Sequence, residues 1–194
     1  MSTSHTERTL VLLKPDAVQR GLIGEIMTRF ERCGLKVVAM KLERATKELA
    51  GKHYADDEKW LLSVGEKTIA SYEKKGIKLS RTALEQGQLV RKQLMDSIAM
   101  SPIVALVLEG HNAVAHVRKI VGSTAPADAV PGTIRGDYSF ETYQFADLME
   151  RPIQNLIHAS GAVDEAEREI VVWFSAKEIH TWLRADDALL YRKG

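Results

Sequence analysis

Two unbroken apolar runs constrain this chain more than anything else in it. One is Thr9 to Leu13, and the other is Ile103 to Leu108. Each is far shorter than the roughly 18–20 residues needed to span a bilayer. Each lacks the polar alternation of a strand with one wet face. Such runs read as strands buried on both sides, inside a layered α/β domain. Lys14-Pro15-Asp16 ends the first run, because proline cannot continue a ladder. Glu109-Gly110 ends the second.

Helical and extended segments alternate around these strands. Ile23, Ile26, Met27 and Phe30 recur at helical spacing, and Gly34 suits the C-terminal cap of that helix. Leu35 to Leu42 reads as a second strand. Thr46 is an N-cap for a helix carrying Leu49, Ala50, His53 and Tyr54. From about Asp57 to Met100 the pattern is helical and heavily charged, broken at Gly76. It reads as a surface insertion with one apolar side. Asn112 is read as the cap of a helix with Val114, Val117 and Val121 on one face, closed by Gly122. Ser123 to about Glu141 is predicted to be a long loop, and such loops are uncommon unless functional. Ile153 to Ile157 is predicted to be a fourth strand. Asp164 is read as the cap of a helix with Ala166, Ile170 and Trp173 inward. Ser175 to Glu178 is read as a capping box for a last helix bearing Ile179, Trp182 and Leu183. Two βαβ-like halves with few strands suggest a ferredoxin-like α/β sandwich. That is a four-stranded antiparallel sheet covered by helices, in a single domain over residues 1–194 with an insertion at about 57–100.

Bulk properties narrow the partners. A net charge of +1 gives no reason to expect a nucleic acid. The polar start MSTSHTERT lacks the apolar core of a signal peptide, and no run suits a membrane span. Cys33 is the only cysteine, so no disulfide can form within the chain. A soluble, cytoplasmic protein is expected. No residue set has zinc or iron–sulfur spacing, and there is no G-x-G-x-x-G or P-loop.

The chemistry concentrates between Pro131 and Ile170, in PGTIRGD, NLIHAS and EAEREI. His158 ends an apolar run and precedes the small residues Ala159, Ser160 and Gly161. It reads either as a satisfied structural histidine or as a phosphate acceptor with room beside it. Glu169 follows on the next helix, where it can orient the imidazole directly or through Ser160. Lys14 is either a solvated strand-end lysine or an ammonium aimed at phosphate. Arg118 in the last turn of a helix also suits the helix dipole. Arg135, between Gly132 and Gly136, is read as a guanidinium fork turned toward a ligand and oriented by Asp137. Thr124 offers a hydroxyl or shapes a turn, and Tyr54 is core or a hydroxyl donor.

Together these pieces resemble the nucleoside diphosphate kinase family. The matching segments are LVLLKPDAVQRGLIGEI, the HY pair, IVALVLEG, Arg118 to Asp128, PGTIRGD, NLIHAS and EAEREI-x-x-WF, in the family's order. The resemblance implies a ferredoxin-like sandwich assembled as a hexamer or tetramer. It implies transfer of a γ-phosphate from a nucleoside triphosphate to a nucleoside diphosphate, by ping-pong through a phosphohistidine at His158. Lys14, Tyr54, Arg118, Thr124 and Arg135 would hold phosphates, and Asn155 would contact the sugar hydroxyl and the phosphate end. Ser160 and Glu169 would stand behind the histidine, and Mg²⁺ would arrive on the nucleotide. The alternative is a nucleotide-binding regulatory protein with little turnover. Three departures from the family stand out: Ala159 where it usually has Gly, Gly161 where it usually has an Asp, and a longer helical stretch after Tyr54. That acid is tied to the metal, so weaker metal affinity is expected. Trp60 is the candidate from that stretch to cover the base.

Overall fold

The computed structural model describes residues 6–54, 56–74 and 76–192. The chain runs β1 (Thr6–Leu13), α1 (Pro15–Gln19), α2 (Ile23–Arg32), β2 (Lys36–Glu43), α3 (Lys47–His53), α4 (Glu58–Lys74) and α5 (Ala83–Ala99). It continues through β3 (Ile103–His111), α6 (Ala113–Val121), a 3₁₀ turn (Pro126–Asp128), α7 (Ile134–Tyr138) and α8 (Tyr143–Leu148). It ends with β4 (Ile157–Ala159), α9 (Val163–Trp173), a second 3₁₀ turn (Ala176–Glu178) and α10 (Asp187–Leu190). The four strands form one antiparallel sheet in the order β2-β3-β1-β4. This is the ferredoxin-like sandwich expected from the sequence.

The apolar runs are buried on both faces because both faces carry helices. Val11 and Leu13 of β1 join a core with Ile26 and Phe30 of α2 and Val117 of α6. Leu10 and Leu12 face the other way, onto Ala50 of α3, Ile98 of α5, and Ile170 and Trp173 of α9. His158 pairs with Leu12 across β1 and β4. Its neighbours Ile157 and Ala159 lie in the first core, so the strand's two-residue alternation turns the imidazole toward α3 and α9.

The 57–100 region is a helical hairpin, and its second helix is more than decoration. Ile98 of α5 is buried in the main core. Arg91 donates from Nε to the carbonyl of Tyr54 at 2.7 Å and from Nη2 to that of Gly51 at 3.1 Å, closing the end of α3. Helices α4 and α5 meet at two glycines. A Cβ at Gly65 would lie 1.7 Å from the Ala83 carbonyl oxygen, and one at Gly87 would lie 2.1 Å from that of Leu61. Only bare backbone fits at either crossing.

Several local expectations are corrected. The fourth strand begins at Ile157, not Ile153, because Leu156 has φ +68° and breaks the extension. The stretch from Ser123 to Glu141 holds a 3₁₀ turn and α7, capped by the Thr133 hydroxyl. Asn112 sits at the start of α6 with φ +47° and no side-chain cap; the Glu7 carboxylate accepts from the Val114 amide instead. Helix α9 begins at Val163, so Asp164 lies inside its first turn. The Ser175–Glu178 capping box forms, but it opens only one 3₁₀ turn. Beyond it the chain runs along β2, where His180 N–H donates to Val38 O and the Trp182 indole to Val37 O. Covering an edge strand satisfies main-chain groups that a last helix would leave bare. Among the described residues, no helix is long and apolar enough to cross a membrane. Residues 1–5 of the polar start lie outside the described residues.

Candidate active site

His158 projects from β4 toward Glu169 on α9, one-fifth exposed. Its Nε2 lies 3.0 Å from Glu169 Oε2, and the Ser160 hydroxyl donates to the same oxygen at 2.6 Å. Ser160 is fully buried, and its hydroxyl oxygen also accepts from the Leu10 amide. Burial pushes the Glu169 carboxyl up. The hydrogen bond and charge of His158, the nearby His53 and the Ser160 bond outweigh burial and hold it below the usual range. Glu169 is therefore a carboxylate at neutral pH and takes an N–H from Nε2. Nδ1 is left with its lone pair, and among the described residues it makes no hydrogen bond. Glu169 thus meets the imidazole directly and is also held by Ser160.

The segment before the strand is tightly held. Leu156 is fully buried at φ +68°, and the Ile157 amide donates across it to Asn155 O at 2.7 Å. Such a three-residue turn with positive φ is rare and strained. Leu156 N–H donates to Asp16 Oδ2 at 2.9 Å, and Leu156 O accepts from the Lys14 amide at 2.8 Å. Asn155, itself buried, accepts from Lys14 Nζ at 2.7 Å and donates from Nδ2 to the Thr124 carbonyl at 2.8 Å. One amide side chain thus joins three of the expected site positions.

Arg135 is tied into the loop around it. Its guanidinium is buried and donates to four main-chain carbonyls: Asn155 and Ile157 on one side, Gly122 and Ser123 on the other. Four of its five N–H groups are spent on the loop, which leaves one for a ligand. Asp137 does not orient it; that carboxylate pairs with Arg29 and accepts from the Gly132 amide. Burial first, then the charge of Arg118, lowers Arg135 to about 10, against pulls from Tyr143 and Asp16. Burial lowers Lys14 to about 8; Asp16 opposes this and Arg135 adds to it. Arg118 is exposed, with Nη1 3.4 Å from the Ala159 carbonyl. These cations repel one another, and among the described residues no carboxylate lies within ion-pairing distance of Lys14, Arg118 or Arg135.

Thr124 is exposed, and its carbonyl is the acceptor for Asn155. Tyr54 is partly buried, edge-on to His53 at 4.7 Å, and its hydroxyl is raised by burial and by Glu169. Trp60 lies in the first turn of α4, where its amide donates to Asp57. Among the described residues, no hydrogen bond or ring contact joins it to the His158 cluster. Gly161 lacks the acid expected at its position, yet Glu165 of α9 accepts from its amide at 2.6 Å. A Cβ at Gly161 would come within 2.6 Å of that same oxygen. A carboxylate therefore already fills the space a side chain there would need.

Local pattern assigns no site role to Asp16, Arg91 or His53. Asp16 stood in plain view in KPD, but its partner amide is 140 residues away. His53 enters the sequence pattern as a helix residue and as half of the HY pair, with no role of its own. His53, His158 and Glu169 have ligand atoms within 4.8 Å of one another. This nitrogen-rich set does not suit a hard cation such as Mg²⁺, which takes oxygens. A cavity of about 120 Å³ opens at Lys14, lined by Asp16, Arg20, Ser97 and Met100 but not His158. Ligand pockets run to roughly 300–1,000 Å³, so this one is too small for a nucleotide.

A ferredoxin-like sheet with a carboxylate-held histidine beside unneutralised cations defines a phosphate-handling class of site. Comparison with known proteins makes the class specific. The nucleoside diphosphate kinase family model matches residues 7–61 and 83–179. A nucleoside diphosphate kinase of Pyrobaculum aerophilum is 46% identical over 178 residues, covering 89% of this chain and 97% of that one. The crystal structure of an NDP kinase from the same organism superposes with a TM-score of 0.87 at 43% identity, covering 90% of this chain and 98% of that one. A Borrelia burgdorferi nucleoside-diphosphate kinase with bound vanadate and ADP, a transition state mimic, gives 0.79 at 35% identity, with 96% and 98% covered. The chain belongs to the nucleoside diphosphate kinase family.

The Arg135 geometry has a measurable consequence. Arg135→Ala is expected to unpair four carbonyls at the loop and the start of β4. Each unmade buried bond costs about 1–3 kcal/mol where water cannot replace it, so a loss of at least about 3 kcal/mol is expected. Urea unfolding checks this, and an unfolding free energy within about 0.5 kcal/mol of the parent would contradict it.

Proposed function

We propose that the nucleoside diphosphate kinase activity of this chain runs through a phosphohistidine at Nδ1 of His158. The observation that carries this reading is the Glu169 carboxylate on Nε2. It commits the proton to one nitrogen and leaves the other as a lone pair beside cations that lack carboxylate partners. In the first half-reaction, Nδ1 attacks the γ-phosphorus of a nucleoside triphosphate. The N–P bond forms as the bond from phosphorus to the bridging β,γ-oxygen breaks, and the diphosphate leaves with that electron pair. Positive charge grows on the imidazole, and the Nε2–H···Glu169 bond strengthens against it. In the second half-reaction, a terminal oxygen of another nucleoside diphosphate attacks the phosphorus and the N–P bond breaks. Catalysis is then positioning and charge stabilisation, as phosphoryl transfer requires.

Lys14 and Arg118 are the cations with freedom to meet the phosphates, with Thr124 and Tyr54 as hydroxyl donors. Arg135 contributes its field and its one remaining N–H. Asn155 is placed to present its amide near the sugar and the terminal phosphate. Mg²⁺ would arrive on the nucleotide and would spread the charge of its phosphates. Pyrobaculum and Borrelia relatives with these names support the substrate class, and ADP in the Borrelia structure supports nucleotide binding. A homo-oligomer, a hexamer or tetramer, is the assembly we infer. The exposed apolar side chains of Phe140, Leu148 and Met149 support it, since large apolar side chains left in water are what an interface would cover. Sedimentation of a monomer at micromolar concentration would contradict it.

Incubation with γ-labelled ATP and Mg²⁺ is expected to leave a label on the protein that acid removes and base does not. His158→Ala is expected to abolish the label while keeping the fold. Retained label in that variant would remove His158 as nucleophile. Labelling with no discharge to added GDP would point to a nucleotide-binding regulator.

Lys14 sets a pH limit. It is charged below about 8 and neutral above, so the free enzyme loses a phosphate-binding charge as pH rises through that value. The expected profile of kcat/KM has an alkaline limb near pH 8, because this ratio reports the free enzyme. Bound phosphates raise the ammonium's pKa, so kcat alone falls later. Lys14→Arg, whose charge persists, is expected to remove the limb even at reduced activity. A limb unchanged by that substitution would assign it to another group.

A further inference from the structure

His53 is 3% exposed at the end of α3, wedged between His158 and Trp173. Its ring centroid lies 4.5 Å from that of His158 with the planes at 88°, and 5.7 Å from Trp173 at 72°. An indole can only donate. Trp173 Nε1 lies 3.3 Å from His53 Nδ1, so Nδ1 presents its lone pair and the ring proton sits on Nε2. That Nε2 is buried with no hydrogen-bond partner. A buried unmade hydrogen bond carries a penalty and asks for an explanation. Glu169 Oε1 stands 3.7 Å from Nδ1, beyond hydrogen-bonding reach. Were Nδ1 protonated, it would compete with His158 for the same carboxylate, and the Trp173 bond prevents this.

We propose that His53 is a positioning residue for His158, holding the imidazole plane so that Nε2 meets Glu169 and Nδ1 alone faces the phosphate. The inference rests on His158 being the phosphorylated residue. A histidine's outer torsion is broad and roughly two-fold, so one hydrogen bond to Glu169 leaves the ring free to rock about that bond. A second ring standing perpendicular to it, and itself pinned by Trp173, blocks that motion. The pinning ring must also be uncharged. A cation 4.5 Å away would oppose the positive charge that grows on His158 during transfer. Burial first, then the neighbouring His158, lowers His53 to about 3 despite Glu169, so it is neutral throughout the working range.

The test uses single-turnover phosphorylation by ATP in full-length protein labelled with ¹⁵N-histidine. ³¹P–¹⁵N coupling identifies the phosphorylated nitrogen. In the parent, one isomer at Nδ1 is expected. His53→Ala is expected to slow phosphoenzyme formation by about 10-fold or more with nucleotide affinity unchanged, and to place part of the phosphate on Nε2. Trp173→Phe keeps an aromatic ring and removes only the indole donor. It is expected to move His53 toward the Nδ1–H tautomer by ¹⁵N shift and to slow the same step by about 3-fold or more. Should His53→Ala fail to fold, Trp173→Phe decides. Parent rates and a single isomer in every folded variant would overturn the proposal while leaving the phosphohistidine intact. Absence of any phosphoenzyme in the parent would instead overturn the reading on which it rests.

Discussion

The left-handed turn at Leu156 is the joint on which this site depends. A buried leucine at φ +68° costs about 1–2 kcal/mol of local strain and persists only because its surroundings over-determine it. The Lys14 amide holds its carbonyl and Asp16 holds its amide. Arg135 grips the carbonyls of Asn155 and Ile157 on either side. The end of β1 and the start of β4 are thereby fixed to each other before β4 begins to pair. The turn also reverses the chain's direction of presentation. Asn155 points back to Lys14 and Thr124, and three residues later His158 points across the sheet to α9.

The electrostatic design follows from the same joint. Proteins usually neutralise buried charge with a partner of opposite sign. Here Arg135 is satisfied by neutral carbonyls and Lys14 by a neutral amide, so both are hydrogen-bonded yet keep their net charge. The cost appears as depressed pKa values, driven first by burial. The one carboxylate committed at the centre, Glu169, is bonded to the histidine and to Ser160, behind the ring. Positive potential in front and negative charge behind is the arrangement a nucleophilic imidazole needs when it receives a phosphoryl group.

The legible parts of the fold were those set by local pattern. The buried runs gave the central strands, and the Thr46 cap placed α3 correctly. Motif spacing also brought His158, Ser160 and Glu169 together. What escaped was set by distant partners. Nothing local to Ile153–Leu156 reveals that Asp16 and Lys14 will hold it out of the sheet. Ile179 to Leu183 carries a helical pattern, yet the open edge of β2 recruits its backbone. The glycines around Arg135 suggest a tight turn but do not reveal what its guanidinium bonds. Its four acceptors come from two other segments of the chain. The HY pair marks His53 without saying what it does, because its contacts are perpendicular ones with strand β4 and helix α9.

The contact between α4 and α5 bears on where this protein tolerates length. The two helices touch through bare backbone at Gly65 and Gly87, so their spacing is fixed near the base of the hairpin. The family model leaves residues 62–82 unmatched, which is the far part of α4 and the connection beyond it. Arg91 and Ile98, which reach the end of α3 and the core, lie below that stretch on α5. The hairpin's outer end therefore works as a cantilever whose root is clamped. A peptide tag or fluorescent module grafted between Ile77 and Ser80 would hang on solvent-facing chain, with its load carried at the glycine crossings rather than by the histidine's neighbours.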